Sequence, residues 1–177
     1  MKSTYFTLIL VLLILSCSGS KHLKNDNFSS EEKKLIMDAD SLTPLRVFKI
    51  TSKSDSLLLR TKSTYIKPDP DNIVLRNFVK RLYATVRDSM SMGVGIAAPQ
   101  VGVLKNIIWV QRFDKENPPF EVYLNPKIVK YSTQTQTVKE GCLSIPDRSD
   151  TLNNRSQEIS IEYHTIDGEL KAEKVEG

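Results

Sequence analysis

The tightest constraint on how this chain can fold lies between Asp71 and Met90. Val74, Phe78, Leu82, Val86 and Met90 recur every four residues, with Leu75, Val79 and Tyr83 beside them. On a helix of 3.6 residues per turn these side chains form one broad apolar stripe, which is stable only when another layer covers it. Asp71 is the expected N-cap, and Ser91 and Gly93 mark the end. The covering layer has to come from short runs elsewhere. Residues 45–50 alternate loosely, 57–59 are a short leucine patch, and 106–110 and 120–124 read as strands, the latter continued by an apolar lead through 124–129. Ile159, Ile161 and Tyr163 alternate with Ser160, Glu162 and His164, the pattern of a half-exposed strand. Asp167-Gly168 is a hairpin turn signal, and 170–175 is its returning strand. One long helix among short, hairpin-linked strands predicts an α+β domain.

The chain has 177 residues, enough for one domain with a real core but not comfortably two. Lys and Arg outnumber Asp and Glu by only 25 to 21, without a basic cluster, so a nucleic-acid partner is not expected. The two cysteines, Cys17 and Cys142, form neither a disulfide framework nor a CxxC knuckle. At the N-terminus, Lys2 precedes an apolar run over 8–15 and then Ser16-Cys17-Ser18-Gly19-Ser20. A basic start, a short apolar core and small residues describe a secretory signal peptide; a membrane span needs about 20 apolar residues. Ile14-Leu15-Ser16-Cys17 resembles the lipobox of bacterial lipoproteins. That resemblance implies a signal peptide over 1–16, lipidation of Cys17, and an exported protein anchored in the membrane of the bacterial envelope; an uncleaved anchor or an ordinary signal peptide is the alternative. Residues 17–41 are polar and read as a tether with a short helix near 31–40, leaving 42–177 as the folded domain.

Two motifs carry chemistry. Gly93-Val94-Gly95-Ile96-Ala97-Ala98 fits a relaxed dinucleotide-binding fingerprint, but that fingerprint must follow a strand and open a helix. Here a helix precedes it, and Pro99 and a strand follow, so the dinucleotide reading fails on context. Extended to Gly93-Val-Gly-Ile-Ala-Ala-Pro-Gln100 and taken with Glu140-Gly-Cys-Leu-Ser144, the pair resembles the first and second signatures of the peptide deformylase family, in order and at the family's rough spacing. Leu124-Asn125-Pro126 and the stretch from Pro44 to Ile66 share the resemblance, which covers about 42–177.

The resemblance implies antiparallel strands around a central metal-binding helix, and a hydrolase that removes the formyl group from formyl-methionyl peptides. One thiolate and two imidazoles hold the family's divalent metal, usually Fe2+ and replaceable by Zn2+ or Ni2+; water at the open position attacks the formyl carbon. Cys142 matches the thiolate ligand. The Gln100 side-chain amide and the Leu143 backbone N–H match the oxyanion donors. Val94 and Gly95 match substrate-binding positions, the Gly95 carbonyl facing the formamide and its missing side chain admitting the substrate backbone. Glu140 matches a residue that supports the metal ligand. The arginine that usually follows Ile-Pro is either Arg148 or Arg155.

The family's third signature, H-E-x-x-H, supplies two histidine ligands and a glutamate base. It does not occur in this sequence, whose histidines are His22, in the tether, and His164, on the polar side of a strand. The chain as given therefore reads as a deformylase domain that stops before its central helix, and is expected to be inactive and to leave a sheet face bare. The competing reading is a noncatalytic, membrane-tethered lipoprotein that retains a deformylase-like peptide-binding module.

Overall fold

The computed structural model describes residues 27–88 and 93–177. The proposed signal peptide, Cys17, His22 and the Met90 end of the helical stripe lie outside the described residues. Three helices, α1 (Ser30–Met37), α2 (Lys53–Leu59) and α3 (Ile73–Arg87), precede seven strands. These are β1 (Gly95–Ala97), β2 (Ile107–Gln111), β3 (Phe120–Tyr131), β4 (Thr135–Cys142), β5 (Ile145–Ser156), β6 (Glu158–His164) and β7 (Leu170–Glu176). A 3₁₀ turn, Ala98–Val101, follows β1. The main sheet runs β1-β2-β3-β6-β7, antiparallel throughout, and β4-β5 form a separate two-stranded ribbon. The α+β architecture with antiparallel strands agrees with the expectation.

The helical stripe does what its period requires. Leu75, Phe78, Val79, Leu82 and Val86 of α3 are buried in one cluster with Ile96, Ile107 and Leu124 of the sheet. Helix α3 is capped by Asn72, whose side chain accepts from Leu75 N–H at 3.0 Å, one residue later than the expected Asp71 cap. The Trp109 indole N–H donates to the Val79 carbonyl at 2.9 Å and so ties β2 to α3. Gly102 holds φ +86° in the turn before β2, and a Cβ there would stand 2.7 Å from the Phe48 ring, so glycine is required twice over.

Two expectations need correction, the strand at 45–50 and the tether, and the leucine patch gains an assignment. Residues 45–50 form no strand of either sheet: Leu45 N–H goes to the Thr85 hydroxyl, Phe48 N–H to the Gln100 carbonyl and Ile50 N–H to the Ser144 carbonyl. Residues 57–59 belong to α2, started by Ser52 as N-cap. The tether over 17–41 is not free along its length. From residue 27 onward it is packed onto the domain: Phe28 meets Phe78 edge-on, Ile36 is fully buried, and Asn27 exchanges two hydrogen bonds with the Lys67 backbone. Helix α1 has a complete capping box between Ser29 and Glu32, and Glu32 also accepts from Leu104 N–H.

Arg81 on α3 explains why this segment docks. It is 3% exposed, and its guanidinium donates to the carbonyls of Leu35, Ile36 and Thr43 and to the Asp38 carboxylate. A cation at the carboxyl end of α1 satisfies carbonyls that the helix itself leaves orphaned. Replacing Arg81 with Met should cost about 2–4 kcal/mol in urea denaturation, because the freed carbonyls stay buried; Arg76→Met, exposed on the same helix, should change stability by less than about 0.5 kcal/mol.

Candidate functional site

Both sequence motifs end in one cleft. Its volume is about 820 Å³, and Gly95, Gln100, Cys142, Leu143, Lys49 and Arg148 are among the residues that line it. One wall is β1, which pairs with β2 on one side only (Gly95 opposite Val110, Ala97 opposite Ile108) and leaves its other edge open. Val94, just before it, is exposed, and its carbonyl accepts from Gln111 N–H at 2.7 Å. The other wall is the tight turn of the β4-β5 ribbon, where Cys142 pairs with Ile145 and Leu143 stands at the first turn position, outside the strand ladder.

Gln100 joins the walls. Pro99, in the first turn of the 3₁₀ segment where its missing N–H costs nothing, helps present it. Its side-chain oxygen accepts from Ala97 N–H at 2.8 Å, which fixes the amide so that its nitrogen faces the ribbon. There Nε2 donates to the Ser144 hydroxyl at 3.3 Å and points at the Cys142 sulfur at 3.8 Å. Cys142 is a free, exposed cysteine, and Ser144 is buried. Sequence reasoning thus placed Gln100, Cys142, Leu143, Val94 and Gly95 at one locus.

The glycines also serve the packing of the fold. A Cβ on Gly95 would stand 3.3 Å from the Trp109 carbonyl, so the missing side chain relieves the approach of β2. Gly93 is the tighter position: a Cβ would stand 3.0 Å from Val86 Cγ2 and 3.2 Å from Leu143 Cδ1. Glu140 forms a bidentate pair with Arg155 at 2.6 and 2.7 Å across the ribbon, which holds its carboxyl below the usual range. Arg155 is therefore the arginine tied to Glu140, while Arg148 lines the cleft and pairs with Asp150. His164 is not the exposed residue expected: it is half-buried, its ring meets Tyr65 edge-on, and its buried Nδ1 has no hydrogen-bond partner.

Sequence reasoning missed Lys49. Its backbone N–H donates to the Asp55 carboxylate at 3.1 Å, between the Phe48 N–H bond to the Gln100 carbonyl at 2.7 Å and the Ile50 N–H bond to the Ser144 carbonyl at 3.0 Å. Asp55 also takes both guanidinium nitrogens of Arg46 and is itself buried. No local pattern signals the bonds to Gln100 and Ser144, whose partners lie far along the chain, and Asp55 reaches back from the first turn of α2.

A family model for polypeptide deformylase matches residues 47–177. The peptide deformylase of Desulforudis audaxviator is 33% identical over 135 residues, 75% of this chain and 80% of the relative. That of Prochlorococcus marinus (strain NATL2A) is 36% identical over 104 residues, 58% of this chain and 48% of the relative, so the chain spans about half the length of some curated relatives. Among solved structures, a class I type b peptide deformylase from Acinetobacter baumannii bound to Met-Ala-Ser is similar at 27% identity and TM-score 0.64, covering 76% of this chain and 85% of that one. The peptide deformylase of Thermotoga maritima gives 26% identity and TM-score 0.64, covering 76% and 82%.

The Arg46 guanidinium and the Lys49 N–H hold the Asp55 carboxyl down at about 2. Its unfolded value is about 3.9, so this contribution to stability is fully present above about pH 4 and is lost as pH falls through 2. Thermal unfolding from pH 6 to pH 2 should show Asp55→Asn less stable than the parent at pH 6, with the gap closing below about pH 4.

Proposed function

This chain belongs to the polypeptide deformylase family, and from that premise we propose that its cleft binds formyl-methionyl peptides for removal of the formyl group. The observation that carries this reading is the fixed Gln100 amide, whose N–H is presented beside the Cys142 sulfur. When water adds to a formyl carbon, charge gathers on the carbonyl oxygen, and donors already in place stabilise it without reorganising. Gln100 Nε2 and the Leu143 N–H are the two donors in this reading. The peptide backbone would lie along the open edge of β1, where Gly95 offers main-chain groups for strand addition and the exposed Val94 side chain flanks it. The Met-Ala-Ser complex of the Acinetobacter relative supports a peptide as ligand.

Enzymes of this family are metal-dependent, and a divalent ion (Fe2+ in this reading, with Zn2+ or Ni2+ as substitutes) supplies Lewis acidity and an activated water. Cys142 is the residue that would bind it. The described residues do not by themselves fit such a centre, since no group of three or more His, Cys, Asp or Glu side chains converges among them. The polypeptide Met1–Gly177 is therefore expected to bind formylated peptide and not to hydrolyse it. Binding of formyl-Met-Ala-Ser followed by amide NMR shifts should move Gly95, Gln100 and Leu143, with negligible formate release in iron- or nickel-loaded samples. Robust turnover abolished by Cys142→Ala would overturn the expectation; absence of any shift in the cleft would overturn the peptide site.

A second reading is a noncatalytic tethered module. Reading the coding sequence past codon 177 separates the two: an in-frame H-E-x-x-H supports the enzyme, and a stop codon supports the module. The N-terminal sequence supports export and lipid anchoring at Cys17. Labelling cells with an alkyne fatty acid should mark the protein, and Cys17→Ser should remove the label; equal labelling of the variant would refute the anchor.

A further inference from the structure

We propose that Lys49 is a specificity-determining residue of the cleft, which recognises a carboxylate carried by the bound peptide. The inference rests on the peptide-binding reading of the cleft and adds to it a class of ligand.

Three observations carry it. The first is position: Lys49 lines the same cleft as Gly95, Gln100 and Cys142. The second is rigidity. The backbone of residues 48–50 is fastened by three consecutive N–H groups, to the Gln100 carbonyl, the Asp55 carboxylate and the Ser144 carbonyl. Two of those acceptors belong to the residues whose side chains bond each other beside the thiol. A long, flexible cation is thus mounted on the same frame as the amide donor, which lowers the entropic cost of using it to bind a ligand.

The third is charge. Lys49 is exposed and has no ion-pair partner among the described residues, whereas other lysines, such as Lys115 with Glu121 and Lys174 with Glu158, are paired. The other charged groups of the cleft are Asp147 and Arg148, and Arg148 is engaged by Asp150 at 3.1 Å. Among the described residues of the cleft, the free cation is therefore Lys49. A cleft of about 820 Å³ accommodates a short peptide. An anion on that peptide gains a charge-assisted hydrogen bond from the ammonium, and a neutral amide in its place does not. The anion has two sources, the C-terminal carboxylate of a short free peptide or an acidic side chain in a longer one.

The test is a calorimetric comparison on the full chain with three probes: Met-Ala-Ser, Met-Ala-Ser amide and Met-Glu-Ser amide. The parent should bind at least one carboxylate-bearing probe about tenfold more tightly than Met-Ala-Ser amide, with the preference shrinking as salt rises. Lys49→Gln should abolish the preference while leaving the affinity for the neutral amide unchanged, and Lys49→Arg should restore much of it. Preference for Met-Ala-Ser identifies a terminal carboxylate as the target, and preference for Met-Glu-Ser amide identifies a side chain. Equal binding of all three probes, or a preference that survives Lys49→Gln, overturns the inference and leaves the peptide site intact. Absence of binding by every probe overturns the peptide site and this inference with it.

Discussion

Burial of the α3 stripe is the constraint from which the site's geometry follows. Leu75, Phe78, Leu82 and Val86 are fully enclosed against the sheet, and that contact fixes where the helix ends. The Val86 carbonyl accepts from Gly93 N–H at 3.1 Å, which sets the start of the glycine segment. A side chain at 93 would push on both Val86 and Leu143, so glycine there lets the end of the helix and the turn beside Cys142 close on each other. Apolar packing on one side of the molecule thereby positions polar donors on the other. Interiors transmit displacement because they are packed like solids.

The reverse side of α3 is organised by charge. Arg81 gathers the end of α1 and the loop at Thr43, while Thr85, one turn later, accepts from Leu45 N–H and donates to the Arg81 carbonyl. The docked segment over 27–46 precedes the part of the chain that matches the family model, yet it supplies buried apolar residues to the common core. A second buried arginine works in the same manner on the opposite face of the sheet. Arg112 is bidentate with Asp114 and also bonds Glu173, Glu121 and the Tyr123 hydroxyl, while Tyr123 stacks on Tyr163 at 3.8 Å. Desolvating these charges is tolerable only because nearly every donor is matched.

How much of this was legible in the sequence depended on how local each interaction is. The α3 stripe, strands β2, β6 and β7, the first part of β3 and the turn at Asp167-Gly168 carry their signals within a few residues, and the turn forms with Gly168 at φ +88°. Gln100 and Cys142 were legible because each sits inside a short motif. Strand β5 was not, because the ribbon exposes both of its faces along most of its length and so imposes no apolar alternation on Asp147 to Ser156. The 45–50 segment looked like a strand because its residues are extended and apolar in alternation; its hydrogen bonds go to Thr85, Gln100 and Ser144, which no period in the sequence announces. The polar composition over 27–41 suggested a tether because only two residues of this segment, Phe28 and Ile36, are deeply buried, and burial of two residues leaves little pattern.

Gln100 concentrates the consequences. Its backbone carbonyl holds Phe48, its side-chain oxygen holds Ala97, and its side-chain nitrogen reaches Ser144 and Cys142. The same residue therefore aims the amide donor and anchors the segment that carries Lys49. Coupling of this kind makes the two ends of the cleft mechanically dependent: a shift of the 3₁₀ turn displaces the donor beside the thiol and the cation together. Substitution at Gln100 consequently confounds chemistry with support, because one change disturbs three sets of bonds. Lys49 differs in that it is anchored through its own backbone N–H, so its side chain can be exchanged while the frame beneath it stays bonded. In this cleft the lysine is thus the more informative position for separating what the residues recognise from what holds them in place.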